Sequence, residues 1–261
     1  VGAAGWAQNA RSFDGLLLKK AWGEVFSIQP FAFLLDENDA VAAGGSLRHL
    51  DPNVQEGRND DTWFAGSHAV AYLGPQVTIE PHLYFLKNGL TDVELLTFGA
   101  YGHGAVPVAD HVSLVWNGTF DYQVGSVAVD EGPDLDIAAF LATGHLGISV
   151  HGVTTSVGYE YLSGDDDTSD DRQENFDVLF GTNHKFYGHI DYFLNNSANT
   201  AGLGLQDIVA RLRVPLASHV VVGMGLHWFL TAEKDATRLE GASSFGQELD
   251  TCLLYTSDAA D

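Results

Sequence analysis

The chain has 261 residues, of which 45% are hydrophobic and only 18% charged. It holds no run of about 18 apolar residues, which excludes a membrane-spanning helix but not a transmembrane barrel, whose strands are short and only half apolar. With 12 Lys and Arg against 35 Asp and Glu, the net charge of −23 argues against a nucleic-acid partner.

Alternation of apolar and polar residues predicts a series of strands, because successive side chains of a strand point to opposite faces. We place these strands at 12–22, 25–35, 62–73, 77–87, 92–105, 111–124, 136–150, 153–162, 206–216 and 219–232, with another beginning near 246. No segment keeps a helical period. The sequence therefore predicts an all-β, antiparallel fold.

The pair of strands at 206–216 and 219–232 shows what kind of sheet this is. In the first strand, Ile208 and Leu212 share one face while Asp207, Arg211 and Arg213 share the other. The second strand likewise opposes aliphatic residues to histidines and glycines. Such a polar face would line a wet interior, while the aliphatic face would meet lipid.

The lengths of the connections support the same interpretation. Short connections at 22–24, 74–76, 106–110, 151–152 and 217–218 alternate with longer ones at 36–61, 125–135, 163–205 and 233–245, and 88–91 is a short exception. Outer-membrane barrels have short periplasmic turns and longer extracellular loops. We predict an incomplete outer-membrane β-barrel with about 10–12 strands present, located in the bacterial outer membrane.

The directions of the neighbouring strands limit how often the longest connection, 163–205, can cross the membrane. Strand 153–162 follows a short turn and strand 206–216 precedes one, so the chain crosses the membrane zero or two times between them. Residues 184–194 alternate like a strand, but as a single span they would break this parity. We expect one long outer loop that folds over or into the lumen; the alternative is two short spans, with 176–180 as the other.

Two sets of residues could bind a ligand. The acidic residues Asp165, Asp166, Asp167 and Asp170 could hold calcium, which prefers oxygen ligands, although they lack the glycine-anchored spacing of an EF-hand and also suit a solvated outer loop. No other cofactor is expected. The densest positive set on the inner faces is Arg211, Arg213, Lys185, His189, His219 and His227.

A positive lining would attract solutes that carry carboxylates, because the low-dielectric walls of a channel focus the field of its charges. The alternative is an ordinary barrel interior, in which these residues pair across strands with Glu80, Asp121, Asp191 and Asp207. The sequence contains neither a Gly-x-Ser-x-Gly elbow nor an HExxH motif, and its 11 histidines are scattered, so we expect no enzyme.

Both ends of the chain look unlike native termini. The chain starts at Val1, Met224 is its only methionine, and no signal segment precedes the first strand, so none was encoded here or it was removed. Residues 252–261 resemble the in-frame translation of a sequencing-library adapter. We therefore expect a partial barrel at 1–251 and an artefactual tail at 252–261, which would make Cys252, the only cysteine, foreign to the protein.

Several segments resemble one known family. Residues 158–167 (GYEYLSGDDD), followed by 176–189 (FDVLFGTNHKFYGH), are similar to the hallmark block of the alginate export family of outer-membrane proteins. Residues 9–15 (NARSFDG) and 204–211 (GLQDIVAR) fit the same pattern in the same order. The resemblance covers about 9–250 and is most specific in its central block.

The resemblance implies a larger single-chain antiparallel barrel with further strands at both ends. It also implies passive passage of an anionic polysaccharide, or of smaller anionic solutes, across the outer membrane, with outer-membrane lipid as the surrounding partner. Two other functions remain open. One is a general diffusion porin without polymer specificity, and the other is a soluble all-β binding module whose apolar faces pack together.

Overall fold

The computed structural model describes residues 13–36, 61–89, 91–129, 132–181 and 183–255. These residues form one sheet of 13 strands. The strands are β1 (Asp14–Leu17), β2 (Lys20–Trp22), β3 (Phe26–Asp36), β4 (Thr62–Tyr72), β5 (Val77–Asn88), β6 (Val93–Ala109), β7 (Val112–Val127), β8 (Leu135–Val150), β9 (Val153–Leu162), β10 (Arg172–Gln173), β11 (Leu205–Ala217), β12 (Val220–Thr231) and β13 (Ser244–Tyr255).

Neighbours in the sheet follow chain order from β3 to β13, and all of them are antiparallel. Strands β1 and β2 both pair with β3, and the two-residue β10 lies parallel to β8 beside this path. This up-and-down meander confirms the predicted all-β antiparallel fold. The predicted strand 12–22 is interrupted between β1 and β2, at Leu18 and Lys19.

The sequence placed the turn after β6 too early. Strand β6 continues to Ala109, with a register shift between Pro107 and Ala109, and the chain reverses at 110–111. Proline cannot donate to the strand ladder and is accommodated within sheets at bulges. The reversals at 110–111 and 151–152 contain His111, His151 and Gly152 with positive φ, as tight hairpin turns require.

The prediction that the native chain ends before Cys252 stays a prediction. In the structure β13 does not stop there: residues 252–255 remain paired with β12, and Cys252 lies opposite Gly223. Residues 256–261 and the segments 1–12 and 37–60 lie outside the described residues, and so do residues 9–12 of the resemblance.

One face of the sheet is apolar and exposed. Phe120, Leu146 and Val157 expose 53%, 70% and 66% of their surface, although they lie in the middle strands of the sheet. The described part of the chain contains no helix long and apolar enough to cross a membrane. In a soluble module these faces would pack together, whereas an exposed apolar band along neighbouring strands is the lipid-facing surface of a barrel.

The opposite face is covered by the connection between β9 and β11, residues 163–204, which we call the crossing segment. Apart from β10 it contains, among its described residues, only a single 3-10 turn (Asn183–Lys185) and a one-turn helix α1 (Asn196–Asn199). The two short spans considered as an alternative are therefore absent from these residues. β9 pairs directly with β11, which agrees with a single folded-back loop.

The crossing segment reaches strands that are far apart in the sheet. The ring of Phe180 lies 4.9 Å from that of Phe64 on β4, and the backbone N–H of Ile190 donates to Glu248 on β13 at 2.8 Å. In a flat sheet these strands would be about 38 Å apart, since eight spacings of ~4.8 Å separate them. Ten residues span at most about 35 Å when fully extended, and this stretch contains turns. Because these turns shorten the reach of the segment, both contacts agree with a sheet that curves around it.

Two apolar clusters fix the crossing segment to the curved wall. Phe176, Tyr187 and Phe193 pack with wall residues that include Leu205 and Phe229. On the other side, Leu179 and Phe180 pack against a cluster formed by Phe33, Phe64, Leu86, Leu95 and Ile137. Burying one large apolar side chain contributes about 1.5–3 kcal/mol, so several of them hold the middle of the segment against the wall.

Candidate functional site in the interior

Histidine–carboxylate pairs line the inner face of the sheet. The nitrogen–oxygen distances are 2.9 Å for His68–Glu80, 3.4 Å for His103–Glu80, 2.8 Å for His82–Asp121, 2.9 Å for His145–Glu160 and 2.6 Å for His227–Asp207. In the crossing segment Asp191 pairs with His184. The four carboxylates that the sequence offered as cross-strand partners do form pairs, but with histidines and not with arginine or lysine.

Arg211 on β11 joins one of these pairs to the crossing segment. Its guanidinium lies 3.1 Å from His145 Nδ1 and 3.5 Å from Glu160 Oε1, and it donates to the backbone oxygen of Phe186 at 3.4 Å. Because a guanidinium can only donate, His145 Nδ1 must accept, and its Nε2–H then donates to Glu160. This arrangement fixes both the tautomer and the orientation of the ring.

Gly158 makes the position of His145 possible. A Cβ at residue 158 would lie 2.0 Å from His145 Nδ1, so any other residue would displace the ring. Glycine in a strand often marks such a close approach. Gly158 belongs to the block on which the family resemblance depends.

A second group of paired side chains surrounds His227 on β12. Its Nδ1 lies 2.6 Å from Asp207 Oδ2, and its Nε2 lies 3.7 Å from Asp250 Oδ2 on β13. Asp207 is fully buried, and its other oxygen, Oδ1, has no hydrogen-bond partner among the described residues. His227 thus links two carboxylates of neighbouring strands.

A cavity of about 140 Å³ lies between this wall and the crossing segment. Its lining includes Lys185, Gly188, His189, Arg211, His227 and Asp250, with Gly223 and Gly225 leaving room on β12. Four of the six predicted pore-lining residues are therefore brought together: Arg211, Lys185, His189 and His227. Arg213 does not line the cavity, but its register partner Gly223 does, and His219 lies in the turn between β11 and β12.

In this region the negatively charged side chains are buried and the positively charged ones are exposed to water. The side chains of Glu160 and Asp207 are 3% and 0% exposed, whereas that of Arg211 is 34% exposed. Lys185 and Arg213 are exposed, and neither forms an ion pair with a carboxylate of the described residues. The charge that faces water beside the cavity is therefore positive, although the chain as a whole is acidic.

The crossing segment also contributes a buried tyrosine. Tyr187 packs in the cluster with Phe176 and Phe193 and is 4% exposed. Burial, reinforced by the negative charges of Glu160 and Asp207, raises the pKa of its phenol well above the usual range. Tyr187 therefore stays neutral and acts as a packing residue.

The acidic stretch does not form the calcium site predicted from the sequence. Asp165, Asp167 and Asp170 each accept a backbone N–H from two residues further along, at 3.1, 3.0 and 2.9 Å, and Asp166 is exposed. Ser169 also donates its hydroxyl to Asp167, which lowers the pKa of that carboxyl. No group of three or more His, Cys, Asp or Glu side chains in the described ranges is arranged to hold a metal ion. These carboxylates instead stabilise local turns.

Comparison with known proteins shows the fold but not the family. No family model matches the sequence, and no curated protein matches it. The structure is similar to crystal structures of Pseudomonas aeruginosa OccK3 (OpdO), OpdL and OccK7 (OpdD), with TM-scores of 0.55, 0.56 and 0.54 and sequence identities of 15%, 13% and 16%. About 95% of this chain is covered in each case, against 60%, 62% and 59% of the other chain.

The fold is that of an outer-membrane β-barrel porin, and the sheet described is an incomplete barrel. The exposed apolar face agrees with such a barrel, and location in the bacterial outer membrane stays the expectation drawn from the sequence. This chain spans about 60% of the length of the similar solved structures. The resemblance to the alginate export family remains a prediction.

Proposed function

We propose that this chain is part of a channel that selects small anionic solutes, which are attracted by Lys185 of the crossing segment and by Arg211 and Arg213 of β11. The supporting observation is the separation of charges by exposure. The carboxylates of the wall are buried and paired, while the cations face the water through which a solute passes. A unit charge about 4 Å from a solute carboxylate contributes on the order of 1–4 kcal/mol, depending on the local dielectric.

Solutes that carry uronate groups are the preferred substrates within this class. Three segments that carry the family resemblance, 158–167, 176–189 and 204–211, converge at the pair Glu160–Arg211 and its contact with Phe186. This convergence supports an anionic saccharide as the solute. A general diffusion porin without such specificity is the alternative that the experiments must distinguish.

Ion selectivity tests the proposal directly. In planar bilayers with a KCl gradient, we expect the reversal potential of the complete channel to show preference for anions. The double variant Lys185→Gln/Arg213→Gln should lower the anion-to-cation permeability ratio by roughly fivefold or more, since each exposed charge contributes on the order of 1 kcal/mol. Both substitutions leave the buried pair Glu160–His145 intact.

The matched control is Lys87→Gln. Lys87 carries the same charge but pairs with Glu94 on the surface, away from the cavity, so its loss should leave the reversal potential unchanged. Cation preference in the wild type, or the same ratio in the double variant, would contradict the proposal. Uronate oligomers should reduce the current through the wild-type channel more than uncharged oligosaccharides do; equal reduction would favour a general diffusion porin.

A further inference from the structure

We propose that Glu248 and Asp250 of β13 are positioning residues that hold the crossing segment across the interior and thereby set the width of the passage. They accept backbone hydrogen bonds from the tip of the segment, residues 188–191, which we call the clasp. The N–H of Ile190 donates to Glu248 Oε1 at 2.8 Å, and the N–H of His189 lies 3.3 Å from each carboxylate oxygen of Asp250.

The two donors of the clasp lie between residues with a left-handed backbone conformation. Gly188 and Asp191 have φ of 86° and 64°, and the N–H groups of His189 and Ile190 between them each reach a different carboxylate. Glu248 and Asp250 supply these two acceptors from the wall, because residues two apart on a strand point to the same face.

Gly188 allows the close approach that these bonds need. A Cβ at this position would lie 2.2 Å from Glu248 Oε2, and the positive φ disfavours any residue with a side chain. The wall carboxylates and the glycine thus fit each other. The glycine also carries no charge, which makes it useful for separating geometry from electrostatics.

Apolar packing does not hold the clasp itself. His189 is exposed and the side chain of Ile190 is 73% exposed, so neither anchors the turn by burial. The neighbouring anchors lie elsewhere: Phe193 packs on Phe229, and Gln123 on β7 exchanges two hydrogen bonds with the backbone of Asp177. Tyr187, which is buried, anchors the chain just before the clasp, and the hydrogen bonds to Glu248 and Asp250 then decide where residues 188–190 lie.

The position of the clasp determines the lining of the cavity. Gly188 and His189 line the cavity together with Arg211, so a released clasp would move both of them away from the wall and widen the passage. This role rests on the proposed function only in requiring a channel, and it holds whichever solute passes.

Hydrogen–deuterium exchange measures the clasp without reference to a solute. In the complete protein in detergent, we expect the amides of His189 and Ile190 to be protected. The double variant Glu248→Gln/Asp250→Asn removes the charge from both acceptors, and Gly188→Ala displaces the clasp while leaving the wall charge unchanged. Loss of a charge-assisted hydrogen bond should speed exchange at these amides by roughly tenfold or more.

Single-channel recording in symmetric KCl gives the functional result. Both variants should lose the single steady conductance of the wild type and show a larger, flickering current. Glu94→Gln, which removes an exposed carboxylate far from the clasp, should behave as the wild type. If hydrogen–deuterium exchange at His189 and Ile190 were unchanged in Glu248→Gln/Asp250→Asn, the proposal would be overturned. Altered ion selectivity without altered exchange or conductance would show that Glu248 and Asp250 act only as wall charges, and would also overturn it.

Discussion

His227→Leu is expected to destabilise the barrel by about 3–5 kcal/mol, because it removes the hydrogen-bond donor of a buried carboxylate and leaves that carboxylate without a partner. Asp207 is fully buried, and the only hydrogen bond its carboxylate makes in the described residues comes from His227 Nδ1, at 2.6 Å. Leucine fills much of the space of the imidazole but offers no donor. The carboxylate must then stay buried without a partner or bind a proton, and either outcome lowers the free energy of unfolding.

Urea unfolding in detergent micelles measures this loss, and a double-mutant cycle isolates the pair. Replacing both residues, His227→Leu/Asp207→Leu, should restore much of the stability, since an apolar pair of similar volume often replaces a buried ionic pair at little cost. His103→Leu is the matched control: Glu80 keeps His68 at 2.9 Å, so the loss should stay below about 1 kcal/mol. Equal losses for the two single variants would contradict the assigned role of His227.

The strands could be predicted from the sequence because lipid and water impose opposite requirements on alternate residues. Where a strand lacks that contrast, the prediction fails, as it did around Pro107, where a bulge carries β6 onward to Ala109. Residues 184–194 alternate without forming a strand, and only the parity of the membrane crossings identified them as part of a loop. Tyr187 and Phe193 are buried against the wall while Ile190 and Leu194 face outward, so a segment packed inside a barrel alternates much as a strand does.

The sequence indicated which polar residues face the interior, but not which of them contact each other. His145 and Glu160 come from neighbouring strands and lie diagonally, so their contact depends on the register of β8 and β9, which alternation alone does not fix. Glu248 and Asp250 were missed because only the start of their strand was recognised. Two acids at i and i+2 on one strand were the available signal, since they must share a face.

The acidic composition and the basic site are compatible because charge and exposure are distributed differently. Glu160, Asp207 and Glu248 are buried and accept hydrogen bonds from histidine, arginine or the backbone of the crossing segment. Their role is to orient the groups that face the water. A net charge counted over the whole sequence gives buried and exposed groups equal weight, and it therefore does not predict the selectivity of an interior.

Phe120→Arg tests the orientation of the sheet on which the whole site depends. Phe120 lies near the middle of β7 with 53% of its surface exposed on the apolar face, so arginine there would enter the hydrocarbon layer. At the bilayer midplane this substitution is expected to cost about 2–4 kcal/mol. The cost should appear in lipid vesicles as a lower urea midpoint of unfolding.

The neighbouring residue provides the control, because consecutive side chains of a strand point to opposite faces. Thr119 shares a register row with Tyr101 and Thr143 on the inner face, so Thr119→Arg should place its charge in water at a cost below about 1 kcal/mol. If Thr119→Arg cost as much as Phe120→Arg, the assignment of the two faces would be wrong. The cations Lys185, Arg211 and Arg213 would then have no aqueous path to act on.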